Sequence, residues 1–186
     1  MATPHDDNEM VTQSLSGDQR AYASLVNRYQ HMVFTLVYSM LRNKEEADEV
    51  AQDAFVKAYL SLKQFRGDSK FSSWIYRIAY RACLDYIRKN AKHRMDGIDD
   101  KSAKYMSDNA VESHNELEQK EQTVRDCIGK LPAEESALVK MFYFDKMSLN
   151  EIAAVVGISE NNAKVKLFRV RNKLKEMLEE KQLLTI

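Results

Sequence analysis

The sequence predicts an all-α protein: two small helical domains joined by a flexible linker, the second containing a helix-turn-helix. Three observations carry this. Gly and Pro are scarce, 5 and 2 among 186 residues, strand-like alternation is missing, and almost every segment repeats its apolar residues at helical spacing. Residues 91–115 are polar, mixed in charge and lack a sustained apolar period, so they read as a linker. Residues 148–171, SLNEIAAVVGISENNAKVKLFRVR, read as two helices about a short turn. The boundaries are therefore 1–90, 91–115 and 116–186.

Along the first domain, a helix is expected near Asn8–Ser16. A second starts near Asp18 with Ala21, Leu25, Val26 and Tyr29 inward, and continues or bends into Met32, Val33, Leu36, Val37 and Met40. Asn43 with Glu46 three residues on resembles a capping box. It opens a helix to about Gln64, whose apolar face is Ala47, Val50, Ala51, Ala54, Phe55, Ala58, Tyr59 and Leu62. Gly67 and Asp68 break the chain, and Ser72 can cap a helix over Ser73–Asn90.

In the second domain, Val124, Cys127, Ile128 and Leu131 form the first stripe. Pro132 suits a first helical turn, with Glu134 and Glu135 at its positive end. Leu138, Val139, Phe142 and Tyr143 supply core. Ser148 and Glu151 then make a capping box, and Gly157 suits the left-handed residue that ends a helix. Ile158 plugs the turn and Ser159 caps the last helix. There Ala163, Leu167, Val170, Leu174 and Leu178 pack inward.

Composition excludes several classes. The chain is formally neutral, with 28 Lys and Arg against 28 Asp and Glu. The distribution is uneven: residues 1–18 and 43–55 are acidic and 63–94 strongly basic, which permits separate faces for separate partners. Cys83 and Cys127 lie in apolar contexts and suit buried free thiols of a reducing compartment. His5, His31, His93 and His114 make no metal-ligand spacing with them, so neither a metal nor a cofactor is expected. The apolar run Met32–Leu41 is too short to span a bilayer, and no signal peptide is legible, so a cytoplasmic protein without stable membrane insertion is expected. No nucleotide-binding loop, zinc-protease motif or Ser-His-Asp set is present, so no enzyme reading has a motif behind it.

Two surfaces suit nucleic acid. With the apolar stripe of the last helix at the back, Lys166, Arg169 and Lys173 fall on one flank and Lys164, Arg171 and Lys175 on the other. Asn161, Val165, Phe168 and Asn172 face outward between them. Basic flanks suit phosphates, and the residues between suit base edges in a major groove. A solvated surface helix is the bland alternative. The capped first helix, the glycine turn and the near-absence of acids before Glu176 (Glu160 excepted) argue against it.

The second surface is the stretch Phe65–Lys89, which interleaves Phe65, Arg66, Lys70, Phe71, Trp74, Tyr76, Arg77, Tyr80, Arg81, Tyr86 and Arg88. Single-stranded DNA binding needs cations for the backbone and aromatic faces or pockets for unstacked bases. Asp68, Ser69, Ser72 and Ser73 could read a base edge. Trp74 fits a core role and a DNA-facing role equally well.

These motifs, in this order, resemble the extracytoplasmic-function (ECF) group of bacterial sigma-70 family sigma factors over nearly the whole chain. QRAYASLVNRY (19–29) resembles the group's opening helix and ADEVAQDAFVKA (47–58) its polymerase-binding helix. FRGDSKFSSWIYRIAYRACLDYIRK resembles the segment that melts and reads the −10 element, and the stretch from Leu131 to Leu174 the domain that reads the −35 element. The resemblance implies a non-enzymatic initiation factor that binds core RNA polymerase and promoter DNA, duplex at −35 and single-stranded at −10. An anti-sigma factor is a further implied partner.

Carried onto this sequence, the polymerase contacts are Asp48, Gln52, Asp53 and Phe55, although Phe55 could equally be core. The −10 contacts are Arg66, Lys70, Phe71, Ser72, Ser73, Trp74, Tyr76, Arg77, Tyr80 and Arg81. The −35 contacts are Ser159, Asn161, Asn162, Lys164, Val165, Lys166, Arg169 and Arg171. The 91–115 linker corresponds to the segment that passes through polymerase near the RNA channel. Arg81 stands where many members have Asn, and Val165 where many have Ser. Both bear on promoter sequence rather than class. A free-standing regulator would use the same helix-turn-helix, but it needs no strand-separating surface. A helix-turn-helix serving only as a packing unit would not need the clustered cations.

Overall fold

The computed structural model describes residues 4–96 and 116–181, and all regular structure among them is helical. The first group is α1 (Pro4–Leu15), α2 (Gln19–Leu41), α3 (Lys44–Leu60) and α4 (Phe71–Asp96). The second is α5 (Glu116–Gly129), α6 (Ala133–Val139), α7 (Leu149–Val156) and α8 (Glu160–Glu180).

Local chemistry sets most of the helix ends. Asp18 caps α2 by accepting the Arg20 N–H at 2.9 Å, and Asn43 caps α3 by accepting the Glu46 N–H at 3.0 Å. Such caps contribute about 1 kcal/mol each. α2 runs unbroken for 23 residues and stops at Arg42, whose φ of 59° is left-handed. α2, α3 and α4 pack on one another and α1 lies over α2. Leu25, Val33, Leu36 and Val37 from α2 and Phe71, Ile75 and Ala79 from α4 are buried. Ala47, Ala54 and Ala58 on α3 are fully buried too, and such small side chains set a close helix–helix distance.

In the second group α6 passes into a five-residue π-helical turn, Lys140–Phe144. α7 and α8 follow, with α6 and α5 packed against α8. Cys83 and Cys127 are buried free thiols, and burial pushes the Cys83 thiol up to about 12.

The two groups are not separate in space. α4 packs against α7 and α2 against α6, and one apolar cluster runs through both. Polar contacts cross the seam as well. Arg42 Nη2 donates to the Ile128 carbonyl and to Ser136 Oγ, both at 2.9 Å. Tyr76 donates its hydroxyl to Asp145 Oδ2 at 2.6 Å, and Lys140 pairs with the other oxygen of Asp145. Lys70 pairs with Glu151 at 2.8 Å.

Several boundaries differ from those expected. α1 begins at Pro4 rather than near Asn8. α3 ends at Leu60, and Leu62–Gln64 form a separate 3-10 turn. α4 starts at Phe71, so Ser72 lies inside its first turn and is not its cap. It also runs to Asp96, six residues into the expected linker, because Ala91–Asp96 contains good helix formers and no breaker precedes Gly97. The remaining linker residues, 97–115, lie outside the described residues. Tyr59, Val124 and Tyr143, expected in the core, are exposed. Tyr59 instead makes an edge-on ring contact with Tyr22 at 4.9 Å.

Candidate nucleic-acid interface

The helix-turn-helix is built almost entirely from local interactions. Glu151 N donates to Ser148 Oγ at 3.2 Å and Ser148 N to Glu151 Oε2 at 2.9 Å, a reciprocal capping box. Gly157 ends α7 at φ 80°, with its own N–H and that of Ile158 both donating to the Ala153 carbonyl. A Cβ on Gly157 would meet nothing within 4 Å. Glycine is favoured there for its left-handed backbone alone. Ser159 then accepts the Asn162 N–H at 3.3 Å and starts α8.

Ala163, Leu167 and Val170 bury the back of α8. Ser159, Asn161, Asn162, Lys164, Val165, Lys166, Arg169 and Arg171 are all exposed. Val165 and Phe168 are large apolar side chains open to solvent on this face, and the Arg171 guanidinium lies 5.4 Å from the Phe168 ring centroid. On one flank Lys166 pairs with Glu134 at 3.4 Å and Lys173 with Glu135 at 3.0 Å. Sequence spacing gave no sign of these partners, which come from α6. Exposed pairs of this kind are worth about 0–1 kcal/mol, so a phosphate can replace the glutamates at little cost.

In the first group the Phe65–Ser69 loop and one face of α4 enclose an open pocket of about 350 Å³. It is lined by Ser61, Gln64, Phe65, Arg66, Asp68, Ser69, Trp74, Arg77, Ile78 and Arg81. Four of the −10 candidates, Arg66, Trp74, Arg77 and Arg81, therefore meet at one cavity. Three are guanidinium donors, Asp68 is an acceptor, and Trp74 is a flat wall. That mixture fits a planar, polar-edged ring joined to an anionic backbone. Ser61 and Gln64 were missed because the 3-10 turn that brings them here was read as continuing helix.

Trp74 both packs in the aromatic cluster and borders the pocket. It is partly buried, its ring 5.4 Å from Phe65 and 5.5 Å from Phe71, and it also lines the pocket. Four other −10 candidates are buried in this arrangement. Phe71 packs among the aromatic rings of the first group, Ser73 is buried in the first turn of α4, and Tyr76 and Tyr80 are covered where α4 faces the second group. Burial raises the Tyr76 hydroxyl pKa, with the Asp145 hydrogen bond adding to the shift, and pushes Tyr80 up to about 12. Both stay neutral. Ser72 is partly buried, and Lys70 is exposed but engaged by Glu151. The Lys70 hydrogen bond holds the Glu151 carboxyl below its usual range.

The polymerase-binding candidates lie elsewhere, along a groove of about 410 Å³ between α2 and α3. Asp48 and Gln52 stand on its rim with Val26, Gln30, His31 and Phe34 opposite. Phe55 is core, only 8% exposed, and contributes to the groove floor. Asp53 is exposed beside the groove and pairs with Lys57 at 2.7 Å. Among the described residues no His, Cys, Asp and Glu cluster could hold a metal ion, and no helix is long and apolar enough to cross a membrane.

An open pocket lined by Trp74 and three arginines on one helical group, and a helix-turn-helix with a basic-flanked last helix on the other, mark the class of DNA-binding proteins. Comparison with known proteins gives the family. Residues 25–93 match the family described as Sigma-70 region 2 and residues 121–174 that described as Sigma-70, region 4. The chain is 30% identical to the RNA polymerase sigma-H factor of Pseudomonas aeruginosa over 187 residues, covering 96% of this chain and 97% of that one. It is 30% identical to the ECF RNA polymerase sigma factor SigW of Bacillus subtilis, covering 90% and 94%. A solved structure, CnrH in complex with the cytosolic domain of CnrY, is similar with a TM-score of 0.67 and 26% identity, covering 94% of this chain and 98% of that one. The chain belongs to the sigma-70 family, in its extracytoplasmic-function group. Its function is that of an RNA polymerase sigma factor in transcription initiation, with core RNA polymerase and promoter DNA as partners.

Proposed function

We propose that the two surfaces divide promoter recognition between them. The α8 face reads the −35 duplex, with Ser159, Asn161, Asn162 and Val165 toward base edges and Lys164, Lys166, Arg169 and Arg171 toward phosphates. The pocket at Arg66, Trp74, Arg77 and Arg81 holds one unstacked base of the opened −10 strand, and Lys70 and Ser72 follow its backbone. Phe71, Ser73, Tyr76 and Tyr80 support that surface from beneath instead of touching DNA in this arrangement. The observation that carries the reading is the pocket itself, since a duplex-only regulator has no use for an open cavity walled by Trp74 beside three arginines.

The α2–α3 groove, with Asp48 and Gln52 on its rim, Asp53 beside it and Phe55 in its floor, is the docking surface for the clamp helices of the largest polymerase subunit. Its acidic rim suits a basic partner. Polymerase supplies the chemistry, so the protein is not an enzyme, and it works in the cytoplasm where polymerase and DNA meet. The similar CnrH is described in complex with the cytosolic domain of CnrY, which supports a protein partner for this chain too, and membership of the sigma factor family makes an anti-sigma factor the partner proposed. The working division is a first domain through α4, a linker, and a second domain from α5 onward.

The test is transcription from fragmented genomic DNA by sigma-free core polymerase, with and without this protein, mapping RNA 5′ ends. New starts that share paired upstream elements are expected and would give the promoter motif. Duplex binding by the protein alone without new starts would instead mark a free-standing regulator.

A further inference from the structure

The most buried ionised side chain of the first group has no part in either DNA surface. Asp7, on α1, is 4% exposed. One oxygen accepts from Arg28 Nη1 at 2.5 Å and the other from the Tyr29 hydroxyl at 2.5 Å, while Arg28 Nη2 reaches Asp6 at 2.6 Å. Taking a carboxylate out of water is costly even when it is paired. α1 already has Val11 buried and Met10 packed against the core to hold it on α2. The polar clamp fixes something more specific than attachment.

What it fixes can be followed by contact. The Tyr29 ring lies 5.5 Å from Phe71. Phe71 lies 5.6 Å from Phe65 and 5.5 Å from Trp74, and Phe65 and Trp74 are the aromatic wall of the pocket. A second route runs through the next residue of α1. The Asn8 carboxamide sits 3.7–3.9 Å from where a Cβ on Gly67 would be. Gly67, at φ 77°, joins Arg66 to Asp68, both of which line the pocket. α1 also packs on the Leu62–Gln64 turn, which contributes Gln64 to the same cavity. One helix therefore backs the aromatic wall, the loop and the turn together.

We infer that Asp7 is a positioning residue for the −10 base pocket: through Arg28 and Tyr29 it seats α1 so that the Phe71–Phe65–Trp74 wall and the Gly67 loop keep the shape that receives an unstacked base. This rests on the reading of the pocket as a base site. Asp7 touches no DNA. It acts by restricting the pocket walls to one arrangement before the base arrives, which lowers the ordering cost of binding.

The test uses the full-length protein and its holoenzyme. Trp74 is the single tryptophan of the chain, so its emission reports the pocket wall directly. Asp7→Asn keeps the side-chain volume and removes the charge, and Tyr29→Phe keeps the ring and removes its bond to Asp7. Three quantities are read: affinity for core polymerase, duplex binding at the −35 element, and binding of a single-stranded −10 oligonucleotide followed by Trp74 emission. Permanganate reactivity across the −10 element follows strand opening in the holoenzyme.

Asp7→Asn is expected to weaken single-strand binding and strand opening about tenfold, the scale of one lost base-stacking contact. Core and −35 affinity should stay within about twofold, with Trp74 more open to acrylamide quenching. Tyr29→Phe should move the same quantities in the same direction by less. Unchanged single-strand binding in Asp7→Asn, with a normal wild-type response, overturns the inference and leaves the base-site reading standing. Equal loss of all three affinities in Asp7→Asn, with wild-type behaviour in Tyr29→Phe, overturns it also. If wild-type Trp74 emission ignores the oligonucleotide, the base-site reading fails and takes the inference with it.

Discussion

The two helices proposed to meet DNA, α8 and α4, treat their candidate side chains in opposite ways. On α8 every −35 candidate is exposed, and its pairs to α6 are weak surface contacts. On α4 the candidates divide. Arg77 and Arg81 border an open pocket, while Tyr76 and Tyr80 are sealed against the second domain. Lys70, just before α4, is held by the Glu151 that caps α7. A duplex-reading face needs only one helix in one register. The proposed strand-holding face is assembled from a turn, a loop and a helix, and it borders the seam with the other helical group.

The contrast can be broken at Asp145. Its carboxylate accepts from Tyr76 and pairs with Lys140, and both ionised side chains are mostly buried. Asp145→Ala removes the carboxylate partner of the mostly buried Lys140 and leaves the Tyr76 hydroxyl only its 3.5 Å contact with the Met32 carbonyl, and should destabilise the closed arrangement by about 3 kcal/mol. Urea unfolding measures the loss. Small-angle scattering should show a larger radius as the domains part, while the −35 affinity of α8 holds.

Next in size is Trp74→Ala. Removing the pocket wall should cost about 2 kcal/mol in single-stranded −10 binding, read by competition with a labelled oligonucleotide. Binding to −35 duplex should stay unchanged. A matching loss in both would mean that Trp74 acts on the whole fold.

Lys166→Ala tests the exposed side of the comparison. Losing one phosphate contact should reduce the slope of log affinity against log salt by about one, uniformly across −35 sequences. Thermal stability should change little, since the Lys166–Glu134 pair is exposed. An unchanged slope removes Lys166 from the phosphate contacts.

The smallest effect is a pH dependence at Glu151. Its carboxyl lies below the usual 4.5, mainly because Lys70 donates a hydrogen bond to it. A depressed acid stabilises the fold above its unfolded value, and that contribution falls away as pH drops from about 4.5 through the lower folded value. Acid titration of the unfolding free energy should show a slight loss in that window, absent in Glu151→Gln. A wild-type curve matching the variant would show that the Lys70 pair contributes nothing in solution.

How much of this was legible in the sequence follows from the range of the interactions. The helix-turn-helix was readable to the residue because Ser148, Glu151, Gly157 and Ser159 act over three or four positions. Most of the inward stripes of α2, α3 and α8 were readable from period alone, Tyr59 being the exception on α3. The join between α3 and α4 was not. Phe71 begins α4 among Tyr29, Phe65 and Trp74, contacts made in the folded core that overrode the local Ser72 signal. Tyr76 and Tyr80 looked free because a helical period reveals one buried face. Their second cover comes from the other domain, which holds Asp145, the partner of Tyr76, 69 residues away. Glu151 was legible as a cap and silent as the partner of Lys70, since one carboxylate does both. The clamp at Asp7 left no mark beyond an acidic start to the chain.

Arg42 gives the closed arrangement a thermodynamic character of its own. It terminates α2 with a left-handed backbone, and its guanidinium satisfies the Ile128 carbonyl near the end of α5 and the fully buried Ser136 hydroxyl on α6. The same side chain is thus a chain terminator for one half and a hydrogen-bond donor for the other. Melting of either half breaks both of these hydrogen bonds. While the seam is shut the halves therefore behave as one cooperative unit. Parted, each half would stand on its own smaller free energy.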